Sequence, residues 1–356
     1  MNKIILDCDQ MRYKNSGLYH YCLNLGIYVQ QALDKKKDEI SFYVPGRGTK
    51  EFGLNAKCVI EKQWHKKMWI RPFLWDCNIW HTPFQSGRMF PINNKRIRKL
   101  LTVHDINALH EPITESNKKG NLLHTQRLID HADCIICISE HTKNDVMASM
   151  DIKNKPIHVI HNGTHIISTP PASPSGYLPQ RPFLFTMGYI NRKKNFHTLI
   201  PLLVNNTMEL IIAGKLDDPD YISGIWDTAA KLGVADRLRI PGPVSEMDKA
   251  WYFKNCTAFL FPSLAEGFGA PVVEAMGFGK PLFLSDKTSL PEVGGDVAFY
   301  FKDFGAEHMR QVFNEGMESY KNGNMKERII LRGKQFSWEK SAQQYIDVYH
   351  SMMINK

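Results

Sequence analysis

The stretch "LAEGFGAPVVEAMGFGKPLFL", residues 264–284, follows the apolar run "AFLFP" and sets two Gly-Phe-Gly triplets around a short segment flanked by Glu266 and Glu274. It reads as a strand, a glycine turn, a helix, a second glycine stop and a strand. Pro271 suits the first turn of a helix, so the helix begins near it. Free N–H groups and the helix dipole at such a start favour an anion. The second triplet, Gly277 to Gly279, reads as the helix's C-terminal cap before "PLFLS".

The two carboxylates are not a pair flanking one bond. Glu274 falls about a turn inside the helix and Glu266 just ahead of it, so they meet separate points along a ligand. Carboxylates are strong acceptors, and the vicinal hydroxyls of a sugar or a ribose are matching donors.

Outward from this stretch the pattern repeats. "KIILD", "ISFYV", "NIWHT", "KLLTVHD", "CIICIS" and "IHVIHNG" occupy the first half, and "PFLFTMG", "LIIAG", "LRIPG", "AFLFPS" and "PLFLS" the second. Short apolar runs bounded by Gly, Pro, Asp or Asn and alternating with helices indicate parallel strands buried on both faces. The fold class expected is α/β, two Rossmann-like doubly wound domains facing a cleft at the strands' carboxyl ends. A length of 356 residues agrees with two cores.

The stretch "STPPASPSGYLPQRP" has no apolar period and reads as the linker. The expected division is an N-terminal domain over 1–168, a linker over 169–182, a C-terminal domain over 183–338 and a terminal helix over 339–356. In "SWEKSAQQYIDVYHSMMI", Trp338, Ala342, Tyr345, Ile346, Tyr349 and Met352 recur at helical spacing.

No apolar run approaches the ~20 residues that span a bilayer, and "MNKIILDCDQ" lacks the form of a signal peptide. Seven scattered cysteines suggest a reducing compartment rather than a disulfide framework. The expectation is a cytoplasmic protein. Cys134 and Cys137 form a Cys-x-x-Cys in a strand-like run, with no second pair to complete a zinc site, and read as buried thiols.

Charge is uneven along the chain. Residues 1–170 hold 24 Lys and Arg against 16 Asp and Glu, which leaves +8 of the net +9 in the first half. An anionic partner or a generally basic surface would each account for it. "QWHKKMWIRPFLW" (63–75) and "RMFPINNKRIRK" (88–99) mix cations with aromatic and apolar residues, which suits either contact with an anionic membrane or a solvated face over buried aromatics.

"GYINRKKN" follows the strand "FLFTM", so Gly188 ends a strand and Arg192, Lys193 and Lys194 cluster where the next helical segment begins. Cations at a helix start oppose the dipole. Their placement suits an anionic ligand, whose charge they would stabilise. His104 in "LLTVHD" and His81 in "IWHTPFQSG" close strands of the first half, and Gly17 lies in the first strand-to-helix loop, where the backbone can approach a phosphate.

Taken together, these residues resemble a known family. "FPSLAEGFGAPVVEAMGFGKPLFLSDKTSLPEVGGDVAFYF" is similar to the nucleotide-sugar site of the retaining glycosyltransferases of family 4, with its Glu-x7-Glu motif at Glu266 and Glu274. "SGLYHYCLNL", "VHDINALHEP", "ISEHTKNDV", "VIHNGT", "GYINRKKNFHTLI", "LIIAG" and "FSWEKSAQQYIDVY" follow the family's order over nearly the whole chain.

The resemblance implies a GT-B fold whose terminal helix crosses back to the N-terminal, acceptor-binding domain. Glu274 would bind the ribose hydroxyls, and Glu266 with the backbone of Gly267, Phe268 and Gly269 the transferred sugar. Lys194 and Lys193 would bind the diphosphate, with His104 near the reacting carbon and Asp105 following it; Asp105, and His81 from its similar strand-end position, are expected on the acceptor side. Lys193 stands where Arg is commoner in the family, so whether Arg192 or Lys193 completes the clamp stays open. "HDINALHEP" and "RKKN" look most like the mannosyltransferase branch.

The expected activity is transfer of a hexose from a nucleoside-diphosphate sugar, first GDP-mannose, to a glycan or lipid-linked acceptor with retention of configuration, in surface polysaccharide or lipopolysaccharide synthesis. No metal and no cofactor are expected. A UDP-sugar-dependent glucosyl- or N-acetylhexosaminyltransferase, or an epimerase or phosphorylase on the same fold, is the alternative. Asp7-x-Asp9 imitates a metal-binding Asp-x-Asp, but only six residues precede it. A dehydrogenase lacks its Gly-x-Gly-x-x-Gly after the first strand, and no nucleic-acid-binding signature occurs.

Overall fold

The computed structural model describes residues 1–14, 16–46, 50–62, 65, 72–111, 114–165, 167 and 169–354. The aromatic-basic stretch 63–75 lies for the most part outside the described residues. The chain divides into two units, Met1–Gly163 with Ser337–Lys356, and Thr164–Phe336.

In the first unit seven strands, β1 (Asn2–Asp7), β2 (Asp38–Val44), β3 (Lys57–Ile60), β4 (Ile79–Thr82), β5 (Arg98–Val103), β6 (Cys134–Cys137) and β7 (Ile157–Val159), form one sheet in the order β3-β2-β1-β4-β5-β6-β7. Every pairing is parallel. The second unit repeats the design with β8 (Phe183–Met187), β9 (Glu209–Ala213), β10 (Leu238–Gly242), β11 (Ala258–Phe261), β12 (Leu282–Ser285) and β13 (Phe299–Phe301), in the order β10-β9-β8-β11-β12-β13. These pairings are parallel as well. Each is a doubly wound sheet, with its direction of winding reversing between β1 and β4 and between β8 and β11.

Alternation along the strands feeds two faces. Ile4, Leu6, Leu100, Cys134 and Ile136 pack on one side of the first sheet with α1 (Gly17–Ala32), while Ile5, Trp80, Leu101, Val103, Ile135 and Cys137 pack on the other with residues of α2 (Glu115–His131) and α3 (Glu140–Ser149). Cys134 and Cys137 therefore face opposite cores, and burial raises both thiols to about 12. The helices start on side-chain caps: Ser16, Thr114 and Ser139 accept from the N–H of Tyr19, Asn117 and Thr142.

The second unit adds α4 (Pro219–Lys231), α5 (Glu246–Asn255), α6 (Ala270–Gly277), α7 (Leu290–Gly294), α8 (Ala306–Asn322) and α9 (Met325–Gly333). Leu184, Leu210, Ile212, Leu260 and Phe283 line one face of its sheet with residues of α4 and α8. On its other strand positions Phe185 packs against Tyr252, Phe253 and Phe259 at centroid separations of 5.1–6.1 Å.

The last helix, α10 (Trp338–Ile354), belongs to the first unit and packs on α1. Trp338, Ala342, Tyr345, Ile346, Tyr349 and Met352 are buried in that core. Each large apolar side chain removed from water there is worth ~1.5–3 kcal/mol.

Two of the stretches read from the sequence are held by packing. Residues 169–182 are not a free linker. Ser175 is held by Asp248 through its N–H at 2.7 Å and its hydroxyl at 2.6 Å, while Tyr177 and Gln180 both donate to Glu209. Pro and Ser density marked the absence of regular structure, but buried carboxylates of α5 and β9 anchor the segment, and the division falls at 163/164. In "RMFPINNKRIRK", Met89, Phe90 and Ile97 are buried in the core. The apolar letters of that stretch are packed inside rather than offered to a bilayer. Among the described residues no helix is long and apolar enough to cross a membrane.

Candidate functional site

The loops after β8 and β11 leave the second sheet side by side at its switch point, where open α/β sheets bind ligands. After β8, Gly188 takes a φ of 149°. A β-carbon there would lie 3.2 Å from the Lys194 side chain, so glycine leaves room for that lysine to fold back over the strand end.

Arg192–Lys194 form a single 3-10 turn rather than the start of an α-helix. Asn195 ends the turn with a φ of 59°, a conformation that Asn tolerates better than most residues. The Lys193 carbonyl accepts from the N–H of Leu264 at 2.9 Å and ties this turn to the loop after β11.

That tie brings Lys194 to Glu266. Their side chains form an ion pair, at 13% and 14% exposure, and the Lys194 ammonium stands 5.1 Å from the centre of the Phe261 ring. Glu266 is fixed from its backbone, which donates to Thr288 Oγ1 and accepts from Ser289 Oγ, both at 2.9 Å. Arg192 points elsewhere: its side chain is 72% exposed and its Nε lies 3.6 Å from Asp218.

Gly269 precedes α6 with a φ of 97°, and a β-carbon would meet Leu290 at 2.8 Å. Both constraints require glycine where the loop turns into the helix. Gly267 is half-buried, whereas the Phe268 side chain is buried against Phe336 at 5.5 Å. Phe268 can thus offer only its backbone to a ligand, while its ring anchors the turn. Gly279, with a φ of 62°, closes α6 through an N–H bond to Met276.

Glu274 projects from α6 toward Lys249 on α5. The Lys249 ammonium lies 3.0 Å from Glu274 Oε1 and 2.7 Å from Glu246 Oε2. Glu274 Oε2 is buried with no hydrogen-bond partner. Burial raises the Glu274 carboxyl above its ordinary value, against the pull of Lys249. Burial would lower Lys249, but the charges of Glu274 and Glu246 prevail and raise it.

In the first unit Gly17 opens α1 with free space around its Cα, as a close backbone approach needs. His104 lies at the end of β5, 7% exposed, and its Nε2 donates to the Pro83 carbonyl at 2.8 Å. Burial depresses it to about 4, so it is neutral at pH 7. Gln85 brackets this turn, accepting from the His104 N–H and donating to the Asp105 carbonyl. The Asp105 carboxylate accepts from the Asn107 N–H at 3.2 Å.

His81 does not fit the acceptor side. It is fully buried, with Nδ1 2.7 Å from the Tyr349 hydroxyl and Nε2 2.8 Å from Thr102 Oγ1. Burial depresses it to about 3. Both nitrogens are used inside the core, joining β4 to β5 and α10.

Asp7 and Asp9 are buried too. Asp9 pairs with Arg12 and, at 3.6 Å, with Arg88, while burial, together with the Asp9 charge, raises Asp7 to about 8. Two arginines and a raised carboxyl are the wrong surroundings for a cation. Among the described residues a metal-type grouping occurs at His110, His141 and Asp145, whose ligand atoms lie within 4.8 Å of one another. Asp145 is hydrogen-bonded there to His110 at 2.6 Å, and no residue of the donor motif takes part.

Sequence reasoning missed Lys249, Thr288 and Ser289. "SEMDKAW" reads as a surface i,i+3 ion pair, and nothing local shows that Glu274 approaches from another helix. Thr288 has a φ of 51°, uncommon for a β-branched residue, which is visible only in the structure.

Two family models match the chain, glycosyltransferase family 4 over residues 31–166 and glycosyl transferases group 1 over residues 174–336. The chain is 25% identical over 293 residues to O-antigen chain mannosyltransferase B of Escherichia coli, spanning 74% of this chain and 73% of that protein. It is 26% identical over 245 residues to the serotype-specific mannosyltransferase WbdA of Escherichia coli, a match covering 63% of this chain but only 29% of that longer protein. In fold it is similar to Alr3699/HepE of Anabaena, solved in complex with UDP and glucose, with a TM-score of 0.74, 17% identity, and 99% and 100% of the two chains covered.

Proposed function

The chain belongs to the family 4 glycosyltransferases of the group 1 type, and from that premise we propose that it moves a hexose, first mannose from GDP-mannose, to a glycan or lipid-linked saccharide with retention of configuration. The observation that carries this reading is the meeting of Lys194 and Glu266 at the switch point of the second sheet, just ahead of the helix that bears Glu274.

In the proposed reaction the bond from the anomeric carbon to the diphosphate breaks, the acceptor oxygen bonds to that carbon on the same face, and the acceptor proton passes to the departing phosphate. Lys194, with Lys193 beside it, stabilises the leaving charge. One preorganised donor of this kind is worth ~3 kcal/mol in the transition state. Glu266 and the backbone of Gly267, Phe268 and Gly269 orient the sugar, and Glu274 receives the ribose. Gly17 and Gly188 admit the donor closely, His104 acts as a neutral hydrogen-bonding group, and Asp105 stiffens its turn. No metal or cofactor has a part in this scheme.

The mannose choice follows the two Escherichia coli relatives, both mannosyltransferases by name. A UDP-sugar donor is the second reading, favoured by the UDP and glucose held by the Anabaena protein. Surface polysaccharide synthesis at the cytoplasmic side of the membrane fits the O-antigen relative, and the basic first half offers the charge for an anionic bilayer. Retention on anionic liposomes at low salt and release at high salt is the expected result. No retention removes the membrane part alone.

The deciding experiment is a thermal-shift screen of GDP, UDP and ADP and their sugars, followed by a transfer assay with the ligand that stabilises. At 100 times its dissociation constant a ligand adds ~2.7 kcal/mol of stability. No shift with any nucleotide, and no transfer, would overturn the proposal.

A further inference from the structure

Lys249 is a residue that neither the donor motif nor its spacing brings into view. It lies on α5, its side chain is 15% exposed, and its ammonium is clasped between Glu246 at 2.7 Å and Glu274 at 3.0 Å. The two glutamates are bound unequally. Glu246 is 55% exposed and shares its charge with water, whereas Glu274 is 18% exposed and has one oxygen on Lys249 and the other buried without a partner. An unsatisfied buried carboxylate oxygen costs the protein its desolvation, so its retention asks for a donor from elsewhere.

We propose that Lys249 is the positioning residue of the donor site, pinning Glu274 Oε1 so that Oε2 alone is presented to a hydroxyl of the donor's ribose. The inference rests on the functional reading above and names what sets its nucleoside contact. A carboxylate with both oxygens unbound could rotate and take a diol through either oxygen. One held by a lysine has a single orientation and a single open acceptor.

Lys249 has a second effect on the same group. Burial already lifts the Glu274 carboxyl, and Lys249 is the nearby cation that opposes the rise. The titratable side chains lining the pocket in front of Glu274 are Lys249 and Glu246 from α5 and His165 from the segment before the second sheet. The other elements packed on α6, namely α7, α9, β11 and β12, contribute none to that lining among the described residues. Without Lys249 the charged form of Glu274 faces burial and the Glu246 charge with no counter-ion.

The test is titration calorimetry of GDP and UDP against the full-length wild type, Lys249→Met, Lys249→Arg, Glu274→Gln and the Lys249→Met, Glu274→Gln double variant, at pH 6 and pH 8. The ratio of variant to wild-type affinity at each pH cancels the titration of the phosphate itself. Lys249→Met should weaken binding by about tenfold at pH 8, the scale of one charge-assisted hydrogen bond. Burial disfavours the charged form of Glu274 and Lys249 opposes that, so without its counter-ion Glu274 is more easily protonated; the loss should therefore be larger at pH 6 than at pH 8, and Lys249→Arg should restore most of it. The double variant should bind like Glu274→Gln alone, because Lys249 acts through Glu274.

A loss that is equal at both pH values, or that persists undiminished in the Glu274→Gln background, overturns the positioning role. Should Lys249→Met fail to fold, the double variant removes both buried charges together, and its comparison with Glu274→Gln still decides the question. A wild type that binds neither nucleotide would remove the functional reading, whereas a wild type that binds and a Lys249→Met that binds equally well removes only this inference.

Discussion

Lys194 and Glu266, 72 residues apart in the chain, meet as an ion pair where the loops after β8 and β11 run side by side. A lysine ammonium has three donors. It can therefore keep Glu266 oriented with one while others stay available, and in the proposed reaction the pair would be a prearranged junction between sugar and leaving group.

Replacing Lys194 by Ala should lower kcat by about 100-fold, with a smaller change in KM, because the charge it stabilises is greatest in the transition state. Steady-state kinetics checks this, and unchanged turnover would refute the clamp. Lys193→Ala and Arg192→Ala, measured alongside, separate the two candidates for the second cation; the outward-pointing Arg192 should matter less.

Gly269→Ala places a side chain at a φ of 97° and 2.8 Å from Leu290. Strain of ~1–3 kcal/mol is expected in the turn ahead of α6. Loss of nucleotide-induced stabilisation should exceed the fall in the melting temperature of the protein alone. A variant that melts normally and binds normally would show that the turn tolerates a β-carbon.

The buried histidines predict the acid side of stability. His81 and His104 titrate at about 3 and about 4 in the folded state, below the ordinary 6.5, because burial disfavours the cation. The unfolded chain therefore binds more protons between pH 6.5 and 4, and stability falls as pH drops through that window, by on the order of 3 kcal/mol for His104 alone. Chemical denaturation across pH 4–7 measures it, and His104→Gln should flatten part of the slope.

Asp7 predicts the opposite slope. Its folded value is raised to about 8, chiefly by burial, so the folded state holds the extra proton between about pH 4 and 8 and this contribution is lost as pH rises. Asp7→Asn keeps an acceptor for the Asp9 N–H. It should be more stable than the wild type at pH 8 and show no such gain at pH 4, read from melting temperatures at the two values.

Much of the fold was legible because burial on both faces writes itself into short apolar runs. The strands missed were β3 and β13. β3 is a half-exposed edge whose "KCVI" carries only three apolar residues, and β13 is only "FYF". The loops after β8 and β11 were legible for a different reason, since glycines at φ values of 149° and 97° and carboxylates around a helix start leave a local signature. Long-range partners leave none. The Lys249–Glu274 pair, the Thr288 and Ser289 anchors of Glu266, and the enclosure of His81 by Thr102 and Tyr349 each join segments whose proximity no spacing rule encodes.

The hydroxyl of Tyr349 on the His81 imidazole sets an order of events during synthesis. The first sheet leaves the ribosome early, yet Trp338, Ala342, Tyr345 and Tyr349, which fill its core, emerge only after the whole second unit. The second unit, continuous from Thr164 to Phe336, can close while the first still waits with apolar surface uncovered. The first unit is thus completed only after the second has been synthesised, and a chain interrupted within α10 leaves its beginning unfinished.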